Sequence, residues 1–86
     1  MNKFEWDENK RLINIEKHSI DFVDAIGVFD DVNRIELETT RNNERRFLTI
    51  GKIEGVIILV VYANRDDKIR IISARRASIE ERKYYE

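Results

Sequence analysis

The feature that most constrains the fold is an apolar run in the second half of the chain, GVIILVVYA, at residues 55–63. It is far shorter than the ~20 residues that a membrane-spanning helix needs. Its β-branched residues favour a strand. A strand that is apolar on both faces is stable only where both faces are covered, so we expect Val56–Ala63 at the centre of a sheet.

Shorter segments on both sides of this run predict its neighbours in the sheet. Arg34–Glu38 and Arg45–Gly51 alternate apolar with polar residues, as half-buried strands do. From Ile69 to Arg75 the chain is rich in β-branched residues, which predicts a closing strand. The connections are predicted at Thr39–Asn43, Lys52–Gly55 and Asn64–Asp67. Together these segments predict an antiparallel meander.

Three helices are indicated by their start signals. Asp7 is a suitable N-cap for a helix that runs to about Lys17, with Leu12, Ile13 and Ile15 as its buried stripe. Asp21 opens a second helix that ends near Asp30–Asp31, with Phe22, Ala25, Ile26 and Phe29 at helical spacing. Ser78 and Glu81 form a capping-box pattern, so a third helix is predicted from about Ile79.

A short edge strand is also predicted at Phe4–Trp6, before the first helix. The resulting order, β-α-α-β-β-β-β-α, predicts an α+β fold. We expect an antiparallel sheet with the helices packed mainly on one face, which leaves the opposite face open and polar. A chain of 86 residues forms a single domain, residues 1–86. The absence of cysteine excludes disulfides and thiolate chemistry and fits the cytoplasm. The N-terminus, MNKFEWDENK, lacks the apolar core of an export signal, and we expect no membrane association.

Basic residues are concentrated in the second half of the chain. Residues 1–40 hold 5 basic and 10 acidic side chains, whereas residues 41–86 hold 11 basic and 7 acidic ones. Arg75 and Arg76 fall between a strand end and a helix start, where guanidinium groups and free N–H groups suit a phosphate. The cluster therefore predicts anion binding, although any single arginine is more often an ordinary solvated residue.

Four motifs resemble the BrnT toxins, a branch of the RelE-like ribonuclease toxins. They are FEWDENK, NIEKH followed by DFVDAIGVFDD, ERRFLTIG, and IISARRAS followed by ER and a tyrosine. The motifs occur in the family's order across nearly the whole chain. Two positions depart from it, since Ser19 stands where the family usually has glycine and Arg45 where an acidic residue is common. The resemblance implies a RelE-like fold and RNA cleavage. It also implies hetero-oligomer formation with a BrnA-like antitoxin, which would contact DNA through its own domain.

RNA can be cut without a metal when a base deprotonates the 2′-hydroxyl, an acid protonates the leaving 5′-oxygen, and cations stabilise the phosphate. The predicted catalytic residues are His18, Glu44, Arg46, Arg75 and Tyr85. The predicted RNA-binding residues are Arg70, Arg76 and Arg82. No metal site or cofactor is expected, because the chain has no Cys/His ligand set, no HExxH motif and no glycine-rich phosphate loop.

Less specific interpretations remain for the same residues. His18 at a helix C-terminus can serve as a cap that interacts with the helix dipole. Glu44 can pair with a neighbouring arginine, and Tyr62 in the apolar run is expected in the core. The chain as a whole can be a non-catalytic RNA- or phosphate-binding module, or a structural subunit of a small complex.

Overall fold

The structure, a computed structural model that describes residues 3–86, contains one five-stranded sheet and three helices. The strands are β1 (Phe4–Trp6), β2 (Ile35–Arg41), β3 (Glu44–Ile53), β4 (Val56–Arg65) and β5 (Lys68–Arg76). Their spatial order is β1-β5-β4-β3-β2. The predicted α+β class is confirmed. The sheet is mixed rather than antiparallel, because β1 pairs in parallel with β5 from the far end of the chain.

The helices begin at the predicted caps. They are α1 (Glu8–His18), α2 (Phe22–Ala25), which continues as a 3₁₀ helix (Ile26–Asp30), and α3 (Ile79–Tyr85). The Asp7 and Asp21 carboxylates accept hydrogen bonds from backbone N–H groups of their first turns. The single second helix that the sequence predicts is therefore divided between Ala25 and Ile26, and Gly27, a weak helix former, lies in the 3₁₀ segment. No helix within residues 3–86 is long and apolar enough to cross a membrane.

Strand β4 lies at the centre of the sheet, as predicted. Ile58, Val60 and Tyr62 point to one side, the core face, where they join Phe22 and Ala25 of α2 in the main hydrophobic cluster. All five side chains are at most 6% exposed. The core face is thus closed by α2, with α1 alongside β5.

The opposite side of the sheet, the reverse face, is partly covered by α3. Ile50 and Leu59 face each other there in the β3–β4 register and are 0% and 2% exposed. Glu81 of α3 bonds to Arg75, the β5 neighbour of Leu59. The prediction of helices mainly on one face is therefore wrong for α3, and the open polar face is smaller than expected.

Helix α1 buries a polar side chain instead of the predicted apolar stripe. Leu12 and Ile13 are 53% and 51% exposed, whereas Asn14 is 5% exposed. The Asn14 amide donates to the Ala74 carbonyl at 2.8 Å and accepts from the Ala74 N–H at 3.0 Å. Because β1 pairs only with Ile69–Ile71, the rest of the outer edge of β5 lacks a strand partner, and the Asn14 amide takes that place.

A β-bulge in β5 changes which residues share a face. Val61 pairs with Ser73 but Tyr62 pairs with Ile71, so Ile72 is the extra residue. As a result Ala74 joins Ile71 on the core face, although simple alternation would place Ser73 there. The bulge also places Arg76 on the core face and Arg75 on the reverse face.

Candidate nucleic-acid interface

A cleft of about 540 Å³ opens at the end of the sheet where α1 and β5 end and β4 begins. This volume lies within the range of small-ligand sites, about 300–1,000 Å³. His18 comes from the last position of α1 and Arg76 from the last position of β5. Asp24, Ser19 and Glu54 line the same cleft. The fold thus joins the only histidine of the chain to one of the predicted RNA-binding arginines.

His18 owes its position to the way α1 ends. Ser19 adopts the left-handed conformation, with φ of 60°, and its backbone N–H donates to the Ile15 carbonyl. This is the conformation for which glycine is the usual residue. The turn leaves the His18 side chain exposed at the cleft. His18 and Lys17 also place basic groups at the negative end of the helix dipole, so a capping role and a functional role are compatible here.

The prediction that Arg75 and Arg76 grip one phosphate together is wrong. Neighbouring residues of a strand point to opposite faces. Arg76 pairs with Ile58 on the core face and lines the cleft, whereas Arg75 pairs with Leu59 on the reverse face. Of the two, only Arg76 shares a cleft with His18.

Arg75 and the start of α3 are engaged within the protein. Both Arg75 amino groups donate to the Glu81 carboxylate, at 2.9 and 2.8 Å. This contact raises the pKa of Arg75 and lowers the pKa of Glu81. Glu81 also accepts from the Ser78 N–H, while Ser78 Oγ accepts from the Glu81 N–H. The phosphate site predicted at this helix start is therefore occupied by the protein's own carboxylate.

Arg82 lies in a second cleft that adjoins the first one. Arg76 and Val56 line both clefts, and Arg82 lines the second with Ser78 and Ile79. In the described part of the chain, neither Arg76 nor Arg82 has a carboxylate within ion-pair distance. Two guanidinium groups without an ion-pair partner in the described residues thus border two clefts that share Arg76 and Val56.

His18 also lines a smaller cleft, whose lysines are not among the predicted site residues. Lys10 and Lys17 of α1 line it with Ser73 of β5. Residues seven apart lie on one face of a helix, so this spacing was a signal that could have been used. Neither lysine has an ion-pair partner among residues 3–86. We call the resulting series the basic track. It consists of Lys10, Lys17, His18, Arg76 and Arg82.

Tyr85 lies near the same end of the sheet, but its hydroxyl is already bonded. It donates to the Asp31 carboxylate at 2.6 Å. This bond raises the pKa of Tyr85 and is the largest cause of the lowered pKa of Asp31, which also accepts from the Lys52 and Asn33 N–H groups. The Lys52 amine lies 5.8 Å from the Tyr85 ring. These contacts fix the end of α3 beside the β3–β4 hairpin.

The remaining predicted site residues lie at the opposite end of the sheet. Glu44 starts β3 and accepts from Arg46 Nε at 3.0 Å, and Arg70 lies 3.7 Å from the Glu5 carboxylate. The ten residues of β3 span about 30 Å, so Glu44 cannot reach the cleft of His18. The predicted catalytic set does not converge on one point. No group of three or more histidine, aspartate or glutamate side chains suited to a metal occurs within residues 3–86.

Comparison with known proteins adds one match. A family model described as "Ribonuclease toxin, BrnT, of type II toxin-antitoxin system" matches residues 6–81. The matched segment contains His18, Glu54 and Arg76 and ends before Arg82 and Tyr85. No curated protein matches the chain.

Proposed function

Because the chain belongs to the BrnT family of ribonuclease toxins from type II toxin–antitoxin systems, we propose that it cleaves RNA endonucleolytically at the cleft of His18 and Arg76. The observation that carries this proposal is the joint position of these two residues in one cleft. Imidazole is the side chain whose ordinary pKa lies nearest neutrality, which suits proton transfer. A guanidinium binds phosphate bidentately. The cleft therefore supplies both a proton carrier and a phosphate clamp.

The proposed reaction needs no metal. The 2′-hydroxyl attacks the adjacent phosphorus, the bond to the 5′-oxygen breaks, and a 2′,3′-cyclic phosphate and a 5′-hydroxyl result. Arg76 offsets the charge that grows on the phosphate oxygens, and His18 transfers a proton. Arg75 and Tyr85 act at a distance by holding α3 in place, while Glu44, Arg46 and Arg70 lie outside this cleft.

The basic track suits an RNA strand that extends beyond the cleaved phosphate. Lys10 and Lys17 lie on one side of His18, and Arg76 and Arg82 lie on the other. Each phosphate that such a cation neutralises releases a counterion. We expect RNA affinity to fall steeply with salt and the slope to decrease in Lys17→Gln.

The family implies a protein antitoxin as partner. We propose that it is a BrnA-like protein that neutralises the toxin and brings its own DNA-binding domain, so that DNA contact is indirect. The toxin would act in the cytoplasm, where its RNA substrates are. A neighbouring reading frame that encodes a small ribbon-helix-helix protein, which co-purifies with this chain and suppresses cleavage, would support this assignment.

Purified protein and a defined RNA test the proposal. We expect cleavage that persists in EDTA, cyclic-phosphate ends in the mass spectrum, and no cleavage of 2′-O-methyl RNA. His18→Ala and Arg76→Ala should each lower the rate by about 100-fold or more. Arg65→Ala removes an exposed arginine from the far end of β4 and serves as the matched control.

Other outcomes would contradict the proposal in distinct ways. Wild-type protein that retards RNA but leaves it intact would indicate a binding module. Protein that neither binds nor cuts RNA would indicate a structural subunit. Cleavage that stops in EDTA and returns with a divalent cation would contradict the metal-free reaction.

A further inference from the structure

We propose that Glu54 is the general base of this reaction, a catalytic residue that takes the proton from the attacking 2′-hydroxyl. The inference rests on the proposed ribonuclease function and deepens it. A metal-free cleavage needs a base as well as an acid, and the predicted base, Glu44, lies at the wrong end of the sheet. The cleft of His18 and Arg76 contains a different glutamate, Glu54.

Glu54 is available to a substrate. It lies in the two-residue turn between Ile53 and Val56, the last pair of the β3–β4 hairpin, and it is exposed. In the described residues its carboxylate takes part in no ion pair and caps no helix. No ion pair or helix cap within residues 3–86 therefore accounts for a carboxylate at this position.

The backbone at Glu54 indicates that its side chain has a role of its own. Glu54 and Gly55 have φ of 48° and 82°, as a type I′ turn requires. Asparagine, aspartate and glycine fit these positions best, and the β2–β3 turn uses Asn42 and Asn43, with φ of 55° and 65°. Glutamate is a poor choice for this turn, and residues held in unfavourable conformations cluster at functional sites.

A second residue of the cleft, Ser19, also has a positive φ. Five described non-glycine residues have positive φ, and three of them are asparagine or aspartate. The two exceptions are Ser19 and Glu54, and both line the cleft of His18 and Arg76. The two positive-φ positions that are occupied by residues other than glycine, asparagine or aspartate therefore both lie in the cleft where we propose that RNA is cleaved.

The other carboxylate of the cleft, Asp24, has a structural reason to be where it is. It lies in the first turn of α2, where an acidic side chain interacts favourably with the helix dipole. Asp24 therefore provides a matched control, because it shares the cleft and the charge of Glu54 without sharing its unfavourable backbone.

The proton movements of the step balance. Glu54 accepts the proton of the 2′-hydroxyl while the 2′-oxygen forms its bond to phosphorus. The bond between phosphorus and the 5′-oxygen breaks, and protonated His18 gives its proton to that oxygen. Arg76 stabilises the phosphate oxygens throughout, and no metal or co-reactant is consumed. The products are a 2′,3′-cyclic phosphate and a 5′-hydroxyl.

Three variants test the assignment by single-turnover cleavage of the RNA substrate. Glu54→Gln keeps the shape and removes the base, so we expect a loss of about 100-fold or more. Glu54→Asn should lose as much activity while its melting temperature rises by a few degrees, because asparagine suits the turn. Asp24→Asn should cleave within about threefold of wild type.

A pH profile separates a base from a residue that only shapes the cleft. The ionisable groups that share a cleft with Glu54 come from all the elements around it: His18 on α1, Asp24 on α2, Asp30 and Asp31 at the end of the 3₁₀ helix, Lys52 on β3, Arg76 on β5 and Tyr85 on α3. Wild type should show a rate that rises with pH on the acidic side, and Glu54→Gln should lose that limb.

The failures of the two proposals are distinguishable. Full activity of both Glu54 variants, together with an impaired His18→Ala, would overturn the assignment of Glu54 and leave the ribonuclease function standing. Equal losses in Asp24→Asn and Glu54→Gln would also overturn it, since they would point to a general effect of charge. A wild-type protein that does not cleave RNA would overturn both proposals.

Discussion

At the scale of single residues, Asn14 shows how a polar side chain can replace a strand. Its amide bonds to both the N–H and the C=O of Ala74, on the part of β5 that β1 does not reach. A further hydrogen bond to the Ile20 carbonyl, at 2.9 Å, connects α1 to the segment before α2. The same side chain therefore closes a sheet edge and positions the end of α1, where His18 lies.

We expect Asn14→Leu to lower the free energy of unfolding by about 2–3 kcal/mol, because it leaves two buried backbone groups without partners. Urea unfolding monitored by circular dichroism measures the change. Asn9→Ala, an exposed position of the same helix, should change it by no more than about 0.5 kcal/mol. A decrease of no more than about 0.5 kcal/mol in Asn14→Leu would mean that water replaces the amide as the hydrogen-bond partner of Ala74.

At the scale of elements, α3 is held by polar contacts rather than by a buried apolar face. None of its seven residues is buried, and Ile79 and Tyr84 are 67% and 61% exposed. Its start is fixed by the bond between Arg75 and Glu81, and its end by the bond between Tyr85 and Asp31. Arg75 is therefore needed for the structure beside the cleft, which changes how its substitution is interpreted.

A double-mutant cycle on Arg75 and Glu81 should give a coupling free energy of about 1 kcal/mol, because the pair is bidentate and only partly exposed. The more exposed pair of Arg45 and Glu38 should give a value near zero. Both are measured by chemical unfolding. A coupling near zero for Arg75 and Glu81 would mean that the contact does not hold α3.

The same contact has a defined pH dependence. The pKa of Glu81 in the folded protein lies below its ordinary value of 4.5, mainly because of the Arg75 hydrogen bond. The stabilisation is therefore complete above that value and is lost as the pH falls through the lowered value. Glu81→Gln should lower the free energy of unfolding near neutrality, where the wild-type pair is fully formed. In the acidic range its stability profile should be flatter than that of wild type, as urea unfolding at several pH values measures.

At the scale of the whole molecule, the charged residues of the sheet form two separate groups. Arg76 pairs with Ile58 of β4. Arg46 precedes Phe47, which pairs with Tyr62. Tyr62 lies four residues beyond Ile58 along β4. At about 3.3 Å per residue, the two arginines lie roughly 15 Å apart along the strand and on opposite faces. One phosphate cannot contact both.

We therefore expect Arg76→Ala to lower the cleavage rate by about 100-fold and Arg46→Ala to change it by less than about threefold. The double variant should equal Arg76→Ala within the same margin, because distant sites act independently. Cleavage of a fluorescent RNA by the purified proteins provides the measurement. A large loss in Arg46→Ala would show that RNA crosses the reverse face.

Local patterns in the sequence determined the elements and the class of the fold. The apolar run at residues 55–63 indicated the central strand, and Asp7, Asp21 and Ser78 indicated where helices begin, because capping and burial act over a few residues. The sequence predicts that Leu12 and Ile13 are buried, but both are exposed and Asn14 is buried instead. The local pattern could not show this, because Asn14 bonds to the unpaired edge of β5, sixty residues away in the chain.

The composition of the candidate site was decided only by the tertiary structure. The extra residue Ile72 shifts the alternation of β5, so that Arg76 lines the cleft of His18 while Arg75 bonds to Glu81 on the other face. Glu54 enters the same cleft because a hairpin turn brings it there, although no motif marks it. The sequence by itself determined which charged groups exist and which family the chain resembles. Register and strand pairing, which depend on contacts between distant residues, decided which of those groups meet.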